Sequence, residues 1–240
     1  MGIIVKFNET ERLFSRLSDT FSSIIETGLN PEIASTIKQQ TKHIVTSLSN
    51  RNISTKNIVD RMFQIDQTLE DHVVGTCLVS ALIGSLYFDK TELHELVECG
   101  LYHDVGKTLI PSHILNKPGK FTLQEYEIMK QHPIFGAQIL TSAIESGAKI
   151  PEQAICVSLE HHERLDGSGY PYQKTDLSIF SQIVTIADVY SALAMKRVYQ
   201  DGMDIDGIFK TMDKMVLNQT IYDDFKRMNA SIPNLKDLAA

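Results

Sequence analysis

Two histidine-containing dipeptides and one carboxylate in an apolar setting carry the chemistry open to this sequence: His103-Asp104, His161-His162 and Asp188. Neutral imidazole and carboxylate groups together hold divalent ions that activate water, and two ions about 3.5–4 Å apart need a bridging carboxylate with nitrogen donors around it. Asp104 suits the bridge, His103 one ion, and His161 with His162 the other. Asp188 lies inside IVTIADVYSAL, where an unpaired ionised group costs so much that a cation must stand close by. A metal meets that need, and so does a neighbouring Arg or Lys. The dipeptides also have plainer readings, a cationic histidine at a helix C-terminus for 103–104 and a polar loop edge for 161–162. Lys107, four residues past His103, is expected over the same helix face, where its ammonium could meet a phosphate.

The elements that must position these groups read as helices throughout, because the apolar residues recur at 3.6 and no alternating stretch stands out. Asn8 with Glu11 resembles a capping box ahead of a stripe ending near Gly28, and Asn30-Pro31 opens a second helix through Leu48. Further helices are expected at about 55–66, 68–87 and 91–106, the last capped by Thr91. Pro111, Pro118 and Gly119 mark a loop. Thr122 with Glu125 forms another capping box opening residues 123–146, which Pro133 separates or kinks. A helix at 151–162, a breaker-rich loop at 163–180, a buried helix from Phe180 to Ala194 and two shorter helices complete the pattern. The fold class is all-α, organised as an N-terminal helical region (1–65), a main domain (66–228) and a C-terminal tail (229–240).

A chain of 240 residues affords a sizeable core, and no apolar run is long enough to cross a bilayer or to serve as a secretory signal, so a cytoplasmic location is expected. Cys77, Cys99 and Cys156 are widely spaced and read as reduced core residues. The net charge of -7 argues against DNA or RNA duplexes as partners. It leaves room for a small anionic ligand, because metal ions bring their own positive charge.

The stretch His103-Asp104-Val105-Gly106-Lys107 followed by Ile110-Pro111, Ile114-Leu115 and Lys117-Pro118-Gly119, and later His161-His162-Glu163, Asp166-Gly167 and Gly169-Tyr170-Pro171, resembles the HD-GYP family. This is a branch of the HD phosphohydrolases whose characterised members degrade cyclic di-GMP. Ile186-Ala187-Asp188-Val189-Tyr190 is similar to the next block of the family pattern, and Arg197 with Tyr199 to the one after. The resemblance covers residues 66–228 and implies an HD-domain helical bundle with an N-terminal helical extension. It implies two divalent ions, iron or manganese: one on His72, His103 and Asp188, the other on His132, His161 and His162, with Asp104 bridging. Asp104 and Lys107 would serve catalysis, Lys107 on a phosphate oxygen; Gly169, Tyr170 and Pro171 would line the pocket, and Arg197 would approach the nucleotide. The implied reaction opens cyclic di-GMP to linear pGpG, with a second cut to GMP, by a hydroxide held on the two-metal centre. His43, His94 and His113 match no ligand position and are expected at surface or structural sites.

Several positions depart from the family pattern. Thr68 stands where members with a third metal have Glu, which favours two ions. Ser191 replaces an Asp, Val198 a Pro and Gln200 a basic residue, and the loop after Pro171 is altered. These changes are expected on the substrate side. They motivate two alternatives, a phosphodiesterase for cyclic GMP-AMP or another nucleotide and a catalytically silent module that senses a nucleotide or docks a signalling protein. A homodimer through the N-terminal helices is the remaining partner expectation, and no membrane partner is expected.

Overall fold

A computed structural model describes residues 58–62, 64, 67–199 and 205–230, apart from the side chains of 67, 68, 70, 71, 195–199 and 205. Among the described residues there are helices and loops and no strand, as the 3.6-residue periodicity requires. The helices expected at 8–28 and 30–48, the comparison at Thr68 and those at Val198, Tyr199 and Gln200, and His43 lie outside the described residues or side chains. The expected tail does so from residue 231; Asn229 and Ala230 are helical.

The helices are α1 (Gln67–Gly84), α2 (Lys90–Tyr102), α3 (Ser112–Leu115), α4 (Leu123–Met129), α5 (His132–Glu145), α6 (Gln153–Glu160), α7 (Ile179–Tyr199), α8 (Ile205–Met212) and α9 (Gln219–Ala230), with a 3-10 turn at Val105–Leu109. α1 packs along α7 on one side and α2 on the other. Its apolar residues therefore fall on more than one face: Leu69, Val73, Val74, Cys77, Leu78, Ala81 and Leu82 are all buried. α7 is the second central helix, burying Ile183, Val184, Ile186, Ala187 and Tyr190 around Asp188. α6 bridges α2, α5 and α7, and the 3-10 turn packs on α5.

Several boundaries differ from expectation for local reasons. α2 is capped two residues earlier than Thr91, by Asp89: its Oδ1 accepts from the N–H groups of Thr91 (2.8 Å) and Glu92 (3.0 Å), and Glu92 reaches back to the Asp89 N–H at 3.2 Å. The same helix stops at Tyr102 instead of 106. There the chain tightens, because Gly106 is pressed against the start of α5. A Cβ on Gly106 would lie 1.9 Å from the His132 carbonyl oxygen and 2.5 Å from the Gly136 nitrogen. Lys107 is consequently on the 3-10 turn and not on the helix face shared with His103, contrary to the spacing argument. The Thr122 box forms as expected, and the 123–146 stretch divides at Lys130-Gln131 with Pro133 in the first turn of α5. Cys77 and Cys99 are core residues; Cys156 is exposed, because it faces outward on α6.

The closeness at Gly106 predicts that Gly106→Ala costs ~1–3 kcal/mol or more, since backbone atoms cannot yield as a flexible side chain does. A thermal melt and metal content measured together should both fall. A variant with unchanged melting temperature would show that the turn can move away from α5.

Candidate metal centre

Helix ends bring the site together. His72 projects from α1, His103 is the C-cap of α2, Asp104 follows it, His132 opens α5, His161 and His162 follow α6, and Asp188 lies in mid-α7. His72, His103, Asp104, His132, His161 and Asp188 are buried, and His162 is half-buried. No local feature of the sequence marks His72 or His132 as members of this set. Their position is a product of α1 lying along α7 and of the Gly106 contact that draws α5 against Asp104.

The donor atoms form two triads, His72–His103–Asp188 and His132–His161–His162, within each of which the ligand atoms lie within 4.8 Å of one another. Asp104 stands between them with its two oxygens divided. Oδ2 faces the first triad, 3.2 Å from His103 Nε2 and 3.7 Å from His72 Nε2. Oδ1 faces the second, 3.3 Å from His132 Nε2 and 3.7 Å from His161 Nε2. Asp188 Oδ1 is 3.0 Å from His72 Nε2.

The backbone sets the histidine tautomers. Nδ1 of His103 faces the Gly100 carbonyl at 2.7 Å, that of His132 the Met129 carbonyl at 2.8 Å, and that of His161 the Ser158 carbonyl at 2.9 Å. A carbonyl only accepts, so each Nδ1 carries a proton, and a ring in its neutral form presents a bare Nε2 lone pair inward. His132 Nε2 and His161 Nε2 then lie 3.2 Å apart with lone pairs converging. Two acceptors at that distance repel unless a cation or a proton stands between them. His103 Nε2 and Asp104 Oδ1, both sealed from solvent, make no hydrogen bond of acceptable geometry. Orphaned buried acceptors aimed at one another fit a metal centre.

The charges agree with this arrangement. Burial pushes the Asp104 carboxyl up, but the Lys107 ammonium and His103 outweigh it and hold the group well below the usual carboxylate range. Asp188 is likewise lowered against its burial, chiefly by its hydrogen bond and charge contact with His72. Burial pushes His132 down to about 3 and His162 well below the ordinary imidazole value, so both are neutral and ligand-competent near pH 7. Burial acts to lower His103 as well, but Asp104 and Asp188 raise it on balance.

Lys107 Nζ lies 2.5 Å from Asp104 Oδ2, so it directly meets the carboxylate that stands between the triads. The Tyr170 ring stacks on His162 at 4.7 Å and 21° between planes, and the Tyr170 N–H donates to the His162 carbonyl at 3.2 Å. Gly169 packs into the loop: a Cβ there would lie 2.4 Å from Glu163 Cα. Pro171 is partly exposed beyond a cis bond to Tyr170. The side chain of Arg197 lies outside the described residues. Ser191, expected on the substrate side, is instead buried between α7 and α1, its Oγ 3.0 Å from where a Cβ on Gly75 would stand. The small pair Gly75 and Ser191 lets the two helices approach closely one turn from Asp188. His94 pairs with the buried Glu98 at 3.0 Å and His113 is exposed, both away from the triads.

Sequence reasoning missed Glu160 and Glu163. Glu163, fully buried, accepts the Tyr172 N–H at 2.6 Å and the Lys174 N–H at 3.1 Å. Glu160 accepts from Lys174 Nζ at 2.5 Å, Ser181 Oγ at 2.6 Å and the Ser178 N–H at 3.2 Å. The two carboxylates flank His161-His162 and clamp the following loop over the site. The available signal was an acidic residue on each side of the double histidine, beside a loop whose backbone donors had no helix to satisfy them.

Among the described residues no helix is long and apolar enough to cross a membrane. A profile of the family described as "HD domain" matches residues 33–224. The cyclic di-GMP phosphodiesterase PA4108 of Pseudomonas aeruginosa is 35% identical over 145 residues, 59% of this chain and 34% of that protein. The 3'3'-cGAMP-specific phosphodiesterase 2 of Vibrio cholerae is 39% identical over 133 residues, 54% of this chain and 25% of that protein. The chain thus spans a quarter to a third of the length of these two relatives. Among solved structures, Bd1817, described as an HDG"Y"P protein from Bdellovibrio bacteriovorus, superposes with a TM-score of 0.54 at 18% identity, over 95% of this chain and 74% of that one. At that identity the likeness speaks for the fold, an all-helical HD-domain bundle.

Proposed function

Because the chain belongs to the HD domain family, we propose that it is a metal-dependent phosphodiesterase acting on cyclic di-GMP, giving linear pGpG and, by a second cut, GMP. The observation that carries this reading is the division of Asp104 between two triads of donors, with Oδ2 toward His103 and Oδ1 toward His132. His72, His103 and Asp188 would hold one divalent ion and His132, His161 and His162 the other, iron or manganese in both cases. When bound, such ions polarise phosphoryl oxygens and lower the pKa of water to near neutrality. Asp104 joins the two halves, and the Nδ1–carbonyl bonds of His103, His132 and His161 fix the tautomer and aim Nε2 inward. Lys107, tethered to Asp104, stands where its ammonium offsets charge growing on the phosphodiester. Tyr170, stacked on His162, walls the same opening. We assign these roles to residues 66–228, with 1–65 as a helical extension.

The identity to a relative named for cyclic GMP-AMP favours that nucleotide as a second reading. One experiment addresses both. Anaerobically purified protein is assayed for metals by elemental analysis and for products by mass spectrometry, with the two cyclic dinucleotides supplied side by side. About two ions per chain and faster formation of pGpG are expected. Faster opening of cyclic GMP-AMP would replace the substrate, and nucleotide binding without product in metal-loaded protein would replace the activity with sensing.

A further inference from the structure

We infer that Tyr126 is a nucleobase-stacking residue, the outermost ring of an aromatic path leading from the metal centre to the surface. This inference rests on the nucleotide reading above and adds a base-binding contact to it. The Tyr170 ring stacks on His162 and meets Tyr126 edge-on, with centroids 6.5 Å apart and 72° between planes. Tyr170 thus has a face committed to a candidate ligand, while Tyr126 keeps 45% of its surface open. A nucleotide whose phosphate is held beside His162 must carry its base outward by the width of a sugar, and Tyr126 is the next ring along that path.

The helix that carries Tyr126 supports a binding role over a packing one. No residue of α4 is buried, so Tyr126 fills no core. The helix is nevertheless held firmly: the Thr122–Glu125 capping box fixes its start, and Lys117 Nζ pairs with the same Glu125 at 2.5 Å. Lys130 Nζ lies 5.3 Å from the Tyr126 centroid and pairs with Glu127 at 2.6 Å, adding a cation beside the ring. A fixed, half-open aromatic next to a positive charge is the usual construction of a sequence-tolerant base platform.

The chain has no tryptophan, so Y126W introduces a single indole reporter at this position. In the manganese-loaded full chain, stopped-flow mixing with cyclic di-GMP should quench the indole before turnover, and ribose 5-phosphate should not. In parallel, Y126A should raise KM for cyclic di-GMP about 5- to 150-fold, the span of one base–aromatic stack. Its kcat should stay within about twofold, and Y126F should behave as wild type. Cyclic di-GMP binding seen by calorimetry without indole quenching, or an unchanged KM in Y126A, overturns the role of Tyr126 and leaves the nucleotide reading standing. Absence of calorimetric binding in the wild-type protein overturns both.

Discussion

Asp104→Ala is expected to lower turnover of the cyclic dinucleotide by about 10³-fold or more, because several kcal/mol of transition-state stabilisation pass through a group that joins both halves of the site. The loss should exceed that of any single histidine. Each imidazole serves one triad, whereas Asp104 has Oδ2 3.2 Å from His103 and Oδ1 3.3 Å from His132. The variant also removes the carboxylate that Lys107 Nζ meets at 2.5 Å. Asp104→Asn should do little better, since an amide keeps the shape but loses the charge and offers only one acceptor oxygen. Elemental analysis alongside steady-state rates checks this. A variant that keeps full metal occupancy and wild-type turnover would sink the bridging role.

Stripping the metals is expected to lower the melting temperature by about 8–16 °C, as a ligand present at a thousand times its Kd contributes ~4 kcal/mol to a domain of this size. The stripped protein should also become sensitive to acid. His132, pushed down to about 3 by burial, and His162, also well below its ordinary value, stay neutral when folded. Once unfolded, each takes up a proton near pH 6.5. Their contribution to stability is therefore complete above about pH 6.5 and falls by up to ~1.4 kcal/mol per pH unit for each ring as the pH drops toward the folded value. His103 shifts the other way, so its contribution is already complete below about pH 6.5 and does not steepen or cancel the decline there. Asp104 and Asp188, both lowered, add their own losses only below about pH 4. Melting curves of chelated protein between pH 7 and 5 should shift downward. A flat profile would mean that these two histidines are not held neutral by burial.

Much of this was legible along the chain. Asp188 announced itself because a carboxylate in an otherwise apolar helix demands a cation, and the paired histidines stood at the helix ends where the donors in fact converge. The Thr122 capping box and the break near Pro133 also followed from local chemistry, which acts over three or four residues. Asp89 was harder to separate from Thr91, since both are good caps and only the backbone at Asp89 decides which one faces the free N–H groups.

What the residues determined by themselves is therefore the class of fold and the kind of chemistry open to it: apolar periodicity makes helices, and imidazoles set among buried carboxylates make groups that could hold a metal. The tertiary structure decided membership and division of labour. His72 and His132 carry no local mark, and they enter the site because α1 packs on α7 and Gly106 lets the turn after Asp104 touch α5. The same contact moved Lys107 off the helix face and onto the carboxylate, and helix packing placed Ser191 between α7 and α1 instead of at the opening. Glu160 and Glu163 acquire their function only when a distant loop folds back and its backbone donors need acceptors. Such assignments depend on distances between segments far apart in the chain, which helical periodicity and nearest-neighbour chemistry do not encode.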